Sequence, residues 1–315
     1  MRYLVQIHLS EACNLKCEHC YQENMTPSPI LTISDIKTLL EQVRELMKAK
    51  GFTKLRVNLT GGEPLLVPKF KDYVHVALAY ADEVMVLTNG TLIDGTWADF
   101  FKTTGVRVQI SLDGTRDIHD KIRGAGSFDK AIQGIKHLTS VGIKVSVACT
   151  LHSQNFQDIE GIIDAAEESG AHRIWFNRYV PCGNLTPMTT DQFIIAMTNF
   201  VGAQQRKNIN VVLNRCLQFL FSDSGVYRCS ALTNSIAVLP DKSIMPCRRL
   251  PIIIGELGVT DLLEIYTKQS GLLETLMTPP DECKTCGYVN RCNGGLRCLA
   301  YATSNLNSKD PNCFL

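Results

Sequence analysis

Three cysteines near the start of the chain have a spacing that suits iron binding. Cys13, Cys17 and Cys20 follow one another as C-x3-C-x2-C, and Tyr21 comes directly after them. Three thiolates on one tight loop can bind three irons of a [4Fe–4S] cube and leave the fourth iron open to a substrate. A zinc knuckle that takes His19 as its fourth ligand is the alternative, and these residues alone leave both interpretations open.

Cysteine is abundant throughout the chain, with 13 in 315 residues. In a reducing cytoplasm this abundance is typical of metal or redox chemistry rather than of disulfides. A second group crowds the C-terminal part and consists of Cys229, Cys247, Cys283, Cys286, Cys292, Cys298 and Cys313. Cys149, Cys182 and Cys216 lie between the two groups.

The elements that position these residues follow from the pattern between Tyr3 and about Leu213, where short β-branched runs alternate with longer amphipathic runs. Strands are predicted over 4–9, 55–59, 84–87, 106–112, 145–151 and 174–178. Helices are predicted over 34–50, 69–81, 97–103, 128–141, 158–169 and 191–208, with Ser34 as the N-cap of the first. This alternation predicts a parallel sheet whose ligands bind at the carboxyl ends of the strands.

Polar motifs stand at those strand ends. They are Gly61-Gly62-Glu63-Pro64 after the second strand, Thr88-Asn89-Gly90-Thr91 after the third, Ser111-Leu112-Asp113-Gly114 after the fourth, and Arg178 at the end of the sixth. Paired glycines let the backbone approach a ligand closely. Asn, Asp and Ser side chains can bind hydroxyl groups there or can serve turn geometry alone. Arg178 can bind a carboxylate or be an ordinary surface arginine.

Taken together, the cysteine loop and the strand-end motifs resemble the radical S-adenosylmethionine (SAM) enzymes. That family carries the same three-cysteine spacing after the first strand of a partial (β/α)6 barrel. The resemblance implies that the open iron binds the amino and carboxylate groups of SAM. It also implies that one-electron cleavage of SAM yields a 5′-deoxyadenosyl radical, which removes a hydrogen atom from the substrate.

The resemblance also assigns roles to the strand-end residues. It implies that Gly61, Gly62, Glu63 and Pro64 bind the SAM amino group. Asp113 resembles the family's ribose contact, with Asn89 able to bind ribose hydroxyls as well, and Ser111 resembles a residue near the methionine part. Arg178 is a candidate partner for the SAM carboxylate. The stretch from Ser111 through His119 and Arg123 to Phe128 resembles the subfamily that carries a C-terminal extension.

The C-terminal cysteines resemble the SPASM extension of that subfamily. Cys283, Cys286 and Cys292, followed by Cys313 after Asp310-Pro311, match the four ligands of an auxiliary [4Fe–4S] cluster there. The expected role is electron transfer or substrate orientation. C-x2-C with two further thiolates is also typical of a structural zinc ribbon, but the N-terminal motif favours iron–sulfur.

A second auxiliary cluster is predicted near Cys229 and Cys247, with Cys298 as a further ligand. The chain departs here from the family pattern, which places cysteines near positions 223–224 and at 296, where this chain has Asp223, Ser224 and Leu296. Three outcomes therefore stay open: Cys216 and Cys298 complete the cluster, the cluster has an open iron, or no cluster forms.

Two thiols are candidates for donating a hydrogen atom to a substrate radical. Cys182 lies just past the sixth strand, so it can face the mouth of the barrel, and an inert loop thiol is the alternative. Cys216 is equally compatible with a donor, a cluster ligand and an inert thiol. Cys149 lies in an apolar strand and is expected to be a small buried hydrophobe.

The predicted architecture is an α/β partial barrel over 1–213 and a small, loop-rich, cysteine-rich iron–sulfur domain over 214–315. The formal net charge is +1, which excludes the broad positive field of a duplex nucleic-acid binder. No apolar run reaches the roughly 20 residues that span a bilayer, and the N-terminus does not read as a signal peptide. We therefore expect a cytoplasmic enzyme without nucleic-acid or membrane partners.

Members of the resembled subfamily mostly modify peptides, so the predicted function is maturation of a ribosomally made peptide by crosslinking, thioether formation or epimerisation. Alternatives are the synthesis of a haem-like or quinone cofactor and the oxidation of a Ser or Cys in a target protein. The first strand begins almost at Met1, so we expect no leader-binding domain before it and hence a separate recognition protein, a strand edge or direct recognition in the cleft. A low-potential flavodoxin or ferredoxin is the expected electron donor.

Two hypotheses from other classes are a non-catalytic zinc scaffold and a dithiol oxidoreductase that uses the C-x2-C pairs. Neither accounts for the Gly61–Pro64 motif or for the polar groups at the strand ends.

Overall fold

A computed structural model of the chain describes residues 1–21, 29–204, 208–213, 216–221 and 228–315. These residues form two compact units. The first contains 1–14, 29–88 and 230–278. The second contains 15–21, 89–204, 208–213, 216–221, 228–229 and 279–315. The predicted division at residue 213 is not tested by these units and stays a prediction.

The strands are β1 (Arg2–His8), β2 (Lys54–Thr60), β3 (Glu83–Thr88), β4 (Arg107–Ser111), β5 (Ser146–Leu151), β6 (Arg173–Arg178), β7 (Asn210–Val212), β8 (Ser235–Val238), β9 (Ser243–Met245) and β10 (Gly255–Glu256). The helices are α1 (Ile33–Lys50), α2 (Phe70–Tyr80), α3 (Gly95–Thr104), α4 (Arg116–Arg123), α5 (Ser127–Ser140), α6 (Ile159–Glu168), α7 (Thr190–Gln204), α8 (Leu262–Lys268), α9 (Ser270–Met277), α10 (Val289–Cys292) and α11 (Arg297–Thr303). Short 3-10 turns span Pro64–Leu66, Gln218–Leu220 and Asp281–Cys283.

In the first unit the strand order is β10-β9-β8-β1-β2-β3. β1 pairs in parallel with β2, where Val5 aligns with Val57, and in parallel with β8, where Val5 aligns with Ile236. Alternate side chains of β1, among them Tyr3 and Ile7, are fully buried. This central, apolar strand therefore fixes the start of the cysteine loop that follows it.

Helix α1 begins one residue before the predicted start. Thr32 is the N-cap, and its hydroxyl accepts from the Asp35 amide while the Asp35 carboxylate accepts from the Thr32 amide. This reciprocal capping box satisfies two backbone donors, so the predicted cap Ser34 lies inside the helix instead. Buried positions such as Ile36, Leu40 and Val43 recur at helical spacing.

In the second unit the strand order is β4-β5-β6-β7, and every pair is parallel. Ile110 aligns with Val147, and Val147 aligns with Ile174. Helices α5 and α6 connect β4 to β5 and β5 to β6, and both bury an apolar face. The prediction of an α/β fold with a parallel sheet is confirmed, and it places the ends of β4 and β6 on one edge of this sheet.

The segment after residue 213 contains more regular structure than its irregular pattern indicates. β8 extends the sheet of the first unit, and β9 and β10 follow it antiparallel. Helices α8 to α11 are each eight residues or shorter. Within the part of the chain that the structure describes, no helix is both long and apolar enough to cross a membrane.

Candidate active site

Cys13, Cys17 and Cys20 lie on the loop that follows β1, and each is half-buried. The Cys20 amide donates to the carbonyl of Cys17 at 3.1 Å, which makes a tight turn between these two thiols. Arg123 Nη1 lies 3.9 Å from Cys17 Sγ. A guanidinium beside a thiol favours the thiolate, which is the form that binds iron, so the surroundings of Cys17 fit the predicted cluster.

The Gly61-Gly62 turn packs against the backbone that leads into this loop. The Gly62 amide donates to the Ser10 carbonyl at 2.7 Å, and the Glu63 amide donates to the Ala12 carbonyl at 2.8 Å. A Cβ at Gly62 would lie 2.1 Å from the Ala12 carbonyl oxygen, and one at Gly61 would lie 2.4 Å from that of Ser10. Only glycine permits this approach, so the motif serves the cysteine loop directly.

Glu63 is buried, and Pro64 directly after it begins the 3-10 turn Pro64–Leu66. Its Oε1 accepts from Thr88 Oγ1 at 2.6 Å and from the Leu65 amide at 3.2 Å. These bonds fix the orientation of the carboxylate at the ends of β2 and β3. Thr88 is therefore a positioning residue for Glu63, a role that its place in the Thr88–Thr91 motif did not indicate.

Asn89 is buried, and its Oδ1 accepts from the amide and the hydroxyl of Thr91 at 2.9 and 2.7 Å. These two bonds make an Asx turn. Ser111, the last residue of β4, is half-buried and aligns with Ala148 on β5. The structure therefore places both residues at strand ends, as predicted, while a contact with SAM stays a proposal.

Asp113 lies at the centre of a buried charged network rather than at an open surface. Its Oδ2 accepts from Arg123 Nε at 2.5 Å and lies 2.9 Å from His19 Nε2, and its Oδ1 accepts from the Thr150 amide at 2.8 Å. Burial alone would raise the pKa of this carboxyl, but Arg123 and His19 outweigh burial and hold the pKa well below its usual range. Asp113 is therefore an anion that these protein groups already bind.

Two further histidines surround this network as neutral groups. Burial, with a smaller effect of Arg123, lowers the pKa of His119 to about 4, and burial lowers that of His152 to about 4. His119 Nδ1 accepts from the Asp113 amide at 3.2 Å. The Asp113–Arg123–His19 grouping was not predicted from the sequence, although Arg123 stands within the Ser111–Phe128 stretch.

The guanidinium of Arg178 binds other groups of the protein. It is buried, and its Nη1 and Nη2 each donate to a carboxylate oxygen of Asp310 at 2.6 Å. Nη1 also donates to Asn312 at 3.0 Å, and Nη2 donates to the Cys216 carbonyl at 3.4 Å. The described hydrogen bonds of Arg178 are with Cys216 and the C-terminal segment, and its contact with the SAM carboxylate stays a prediction.

The four cysteines that match the SPASM ligands line one cavity in the second unit. Cys283, Cys286, Cys292 and Cys313 share it with Asp310, Lys309 and apolar side chains such as Leu217 and Phe219. It encloses about 340 Å³ of space, part of which is open to solvent. Four thiols around one partly enclosed space fit a cluster that is bound by one thiolate per iron.

The protonation of these thiols bears on how they would bind a metal. Burial, together with Asp310, Cys313 and Cys283, raises the pKa of Cys292 to about 12, so its thiol is protonated without metal. Metal binding must displace that proton. Within residues 1–21, 29–204, 208–213, 216–221 and 228–315, no three Cys, His, Asp or Glu side chains are grouped closely enough to bind a single metal ion.

The remaining predicted ligands lie in different surroundings. Cys229 is half-buried in the second unit, Cys247 is half-buried in the first, and Cys298 is buried on α11. Asp223 and Ser224, which stand where the family has a cysteine, lie outside the described residues. The three outcomes for a second auxiliary cluster therefore stay open.

The two candidate hydrogen-atom donors differ in access. Cys182 is exposed, and its Sγ lies 3.7 Å from the carbonyl oxygen of His19. His19 itself lies between Cys17 and Cys20 in the sequence. Cys216 is only 1% exposed, and burial raises the pKa of its thiol well above the usual value. Cys149 is fully buried, as expected. Of the two candidates, only Cys182 offers a substrate an accessible thiol.

The chain is similar to known proteins over most of its length. Mycofactocin maturase MftC of Mycobacterium tuberculosis is 28% identical over 97% of this chain and 81% of that protein. Fe-coproporphyrin III synthase of Methanosarcina barkeri is 30% identical over 66% of this chain, and the match spans half of that protein's length. The structure of Streptococcus suis SuiB bound to precursor peptide SuiA shares the fold, with a TM-score of 0.79 at 19% identity over 100% of this chain and 76% of SuiB.

A model of the radical SAM superfamily matches residues 7–166. The matched range contains the cysteine loop, the Gly61–Pro64 turn and the ends of β3 and β4. Because it covers half of the 315 residues, the chain belongs to the radical SAM superfamily of enzymes.

Proposed function

We propose that the chain modifies a ribosomally made precursor peptide by radical SAM chemistry. The observation that carries this proposal is the match to MftC, a maturase, over 97% of this chain. The fold shared with SuiB, whose structure contains a precursor peptide, supports the same class of substrate.

In this proposal Cys13, Cys17 and Cys20 bind the [4Fe–4S] cluster that leaves one iron open. When bound, the cluster and SAM supply one-electron cleavage of SAM and a carbon radical that removes hydrogen from the substrate. Gly61, Gly62 and the orientated Glu63 receive the amino group of SAM, and Asn89 and Ser111 contact its remaining polar groups. We give Arg178 no contact with SAM in this proposal, because its guanidinium donates to Asp310 and Asn312.

The C-terminal cysteines complete the proposed enzyme. Cys283, Cys286, Cys292 and Cys313 bind an auxiliary [4Fe–4S] cluster in the cavity that they line. Cys229, Cys247 and Cys298 are the proposed ligands of a second one. Of the two thiols, Cys182 is retained as the hydrogen-atom donor because it is exposed next to the cysteine loop, and buried Cys216 is not.

The finer parts of the proposal concern the product and the partners. The modification is a crosslink, a thioether or an epimerised residue. A low-potential flavodoxin or ferredoxin supplies electrons, and a separate protein presents the leader part of the peptide. We place the enzyme in the cytoplasm, where a reducing environment maintains cysteine ligands as thiols.

A second candidate function is a step in haem-type cofactor synthesis on a porphyrin substrate. One observation favours it: Fe-coproporphyrin III synthase reaches 30% identity. The match spans half of that protein, whereas the match to MftC spans 81% of its length. We therefore rank the peptide first and keep the porphyrin as the comparison substrate.

Incubation of anaerobically reconstituted enzyme with SAM, dithionite and short peptides encoded beside its gene should yield 5′-deoxyadenosine together with a modified peptide. Mass spectrometry detects a crosslink as a loss of hydrogen. The same reaction in D2O detects epimerisation as uptake of deuterium. The Cys17→Ala variant is the control and should form neither product.

The comparison substrate in this experiment is iron-coproporphyrin III. The second function would be favoured over the first if this porphyrin is converted while every peptide stays unchanged. In that case 5′-deoxyadenosine would form without any modification of a peptide.

A further inference from the structure

We propose that Asp113 is a positioning residue for the cysteine loop and that it acts through Arg123 and His19. This inference rests on the proposed cluster at Cys13, Cys17 and Cys20. The family resemblance instead makes Asp113 a contact of the SAM ribose. The two roles lead to different expectations, because one concerns binding of the cluster and the other concerns binding of SAM afterwards.

The Asp113 carboxylate has little capacity left for a ligand. The side chain is fully buried, and three protein donors converge on it within 2.9 Å: Arg123 Nε, His19 Nε2 and the Thr150 amide. A carboxylate offers about four acceptor positions, so these partners use most of them. A ribose hydroxyl would have to reach the one remaining position on a side chain that is fully buried.

Arg123 links the Asp113 carboxylate to the surroundings of Cys17. With Nε held by Asp113, the planar guanidinium places Nη1 3.9 Å from Cys17 Sγ and Nη2 3.4 Å from His19 Nε2. Arg123 is buried and its Nε donates to the Asp113 carboxylate, so the position of this cation is fixed. A fixed cation beside Cys17 stabilises the thiolate that binds iron.

His19 anchors the loop between the two cysteines. It lies between Cys17 and Cys20 in sequence, and its Nε2 is held 2.9 Å from Asp113 Oδ2. One carboxylate therefore binds both the cation beside Cys17 and a side chain of the loop itself. A His–carboxylate bond of this kind fixes the orientation of the ring, as carboxylates do beside metal sites.

The backbone of the loop is held from two further directions. The Glu18 amide donates to the Ile122 carbonyl at 2.9 Å, next to Arg123 on α4, and the Asn184 amide donates to the Glu18 carbonyl at 3.1 Å. A Cβ at Gly183 would lie 2.6 Å from that same carbonyl oxygen. The charged network is thus part of a surrounding shell that gives the loop one conformation.

The test compares Asp113→Asn, Arg123→Gln and Arg123→Lys after anaerobic reconstitution. The iron content of the triple variant Cys13→Ala/Cys17→Ala/Cys20→Ala measures the iron that is bound outside the N-terminal site. Subtracting it from the iron content of wild type gives the iron of the N-terminal site, which we expect to be about four atoms per chain. Arg116→Gln is the matched control, since Arg116 lies on the same helix α4 but pairs with Asp129 at an exposed site. Iron retention is followed during a chelator challenge, before SAM is added.

We expect Asp113→Asn and Arg123→Gln to lose the N-terminal iron at least about tenfold faster than wild type, and Arg116→Gln to match wild type. Arg123→Lys keeps the charge but not the planar fork, so it should fall between them. In Arg123→Gln, loss of the cation should also make the SAM-sensitive cluster harder to reduce, which a redox titration followed by electron paramagnetic resonance measures. A purely structural role would not shift that potential.

Wild-type iron retention in Asp113→Asn together with weakened SAM binding would overturn the proposal in favour of the ribose contact. If Asp113→Asn and Arg123→Gln do not fold, iron retention in Arg123→Lys becomes the test of the proposal, because this variant preserves the buried ion pair. Wild-type iron retention in that folded variant would also overturn the proposal. Failure of the proposed cluster itself looks different, since wild type would then hold no more iron than the triple cysteine variant.

Discussion

Replacing Gly62 by alanine is expected to reduce the rate of 5′-deoxyadenosine formation by about 100-fold or more. The new Cβ would lie 2.1 Å from the Ala12 carbonyl oxygen and 2.5 Å from that of Glu11. These are backbone atoms directly before Cys13, so the turn or the cysteine loop must move. The measurement is chromatographic assay of 5′-deoxyadenosine from reconstituted enzyme, with the iron content determined on the same samples.

Gly95→Ala is the matched control for this substitution. Gly95 is the first residue of α3, and a Cβ there would meet no heavy atom within 4 Å. Its rate should equal that of wild type, and its stability should be unchanged or rise by up to about 1 kcal/mol, because alanine is the better helix former. A wild-type rate in Gly62→Ala would contradict the role assigned to the glycine turn.

The Asp310→Asn variant should lose about 3–5 kcal/mol of unfolding free energy. Asp310 is 1% exposed, and its carboxylate binds both Nη groups of Arg178 and the Leu296 and Asn312 amides. Loss of its charge leaves a buried guanidinium without its counterion. Chemical denaturation of the anaerobic protein measures the change.

The same variant should weaken the auxiliary cluster. The Cys313 amide donates to the Asp310 carbonyl at 2.9 Å, and Asp310 lines the cavity with all four cysteines. Iron bound in the background that lacks Cys13, Cys17 and Cys20 should therefore decrease. Asp129→Asn, which breaks the exposed pair with Arg116, should cost less than about 1 kcal/mol and no iron. Equal effects of the two variants would refute the role of the buried pair.

The strands and helices of the first two-thirds of the chain could be predicted because their signals are local. The strand predicted over 174–178 corresponds to β6, Arg173–Arg178. The helix predicted over 34–50 corresponds to α1, Ile33–Lys50. The prediction of Ser34 as the N-cap was wrong, because Thr32 and Asp35 form reciprocal hydrogen bonds that make Thr32 the N-cap. Element boundaries depend on such single bonds, whereas apolar periodicity does not.

Pairing between distant segments could not be predicted in the same way. β8 lies beside β1, although Val5 and its partner Ile236 are separated by most of the chain. The four residues of β8 are too few to carry a distinctive pattern. Short strands of this kind form because a neighbouring strand edge supplies their hydrogen bonds.

In the candidate site, too, local features could be predicted from the sequence and contacts between distant residues could not. Cysteine spacing and the two glycines identified the loop and its turn, because these depend on residue type at fixed separation. The partners of Asp113 and Arg178 did not follow from spacing, since Arg178 binds Asp310 from 132 residues away. A polar residue at a strand end can bind a ligand or another side chain, and only the three-dimensional arrangement distinguishes the two.

The central claim is that Cys13, Cys17 and Cys20 bind a cluster whose fourth iron accepts SAM. Electron paramagnetic resonance of the anaerobically reduced protein, recorded with and without SAM, tests it most directly when the variant Cys283→Ala/Cys286→Ala is measured alongside wild type. We expect SAM to change the spectrum in both proteins and to leave the triple variant of Cys13, Cys17 and Cys20 unaffected. A reduced cluster spectrum that SAM does not alter in wild type would contradict the claim.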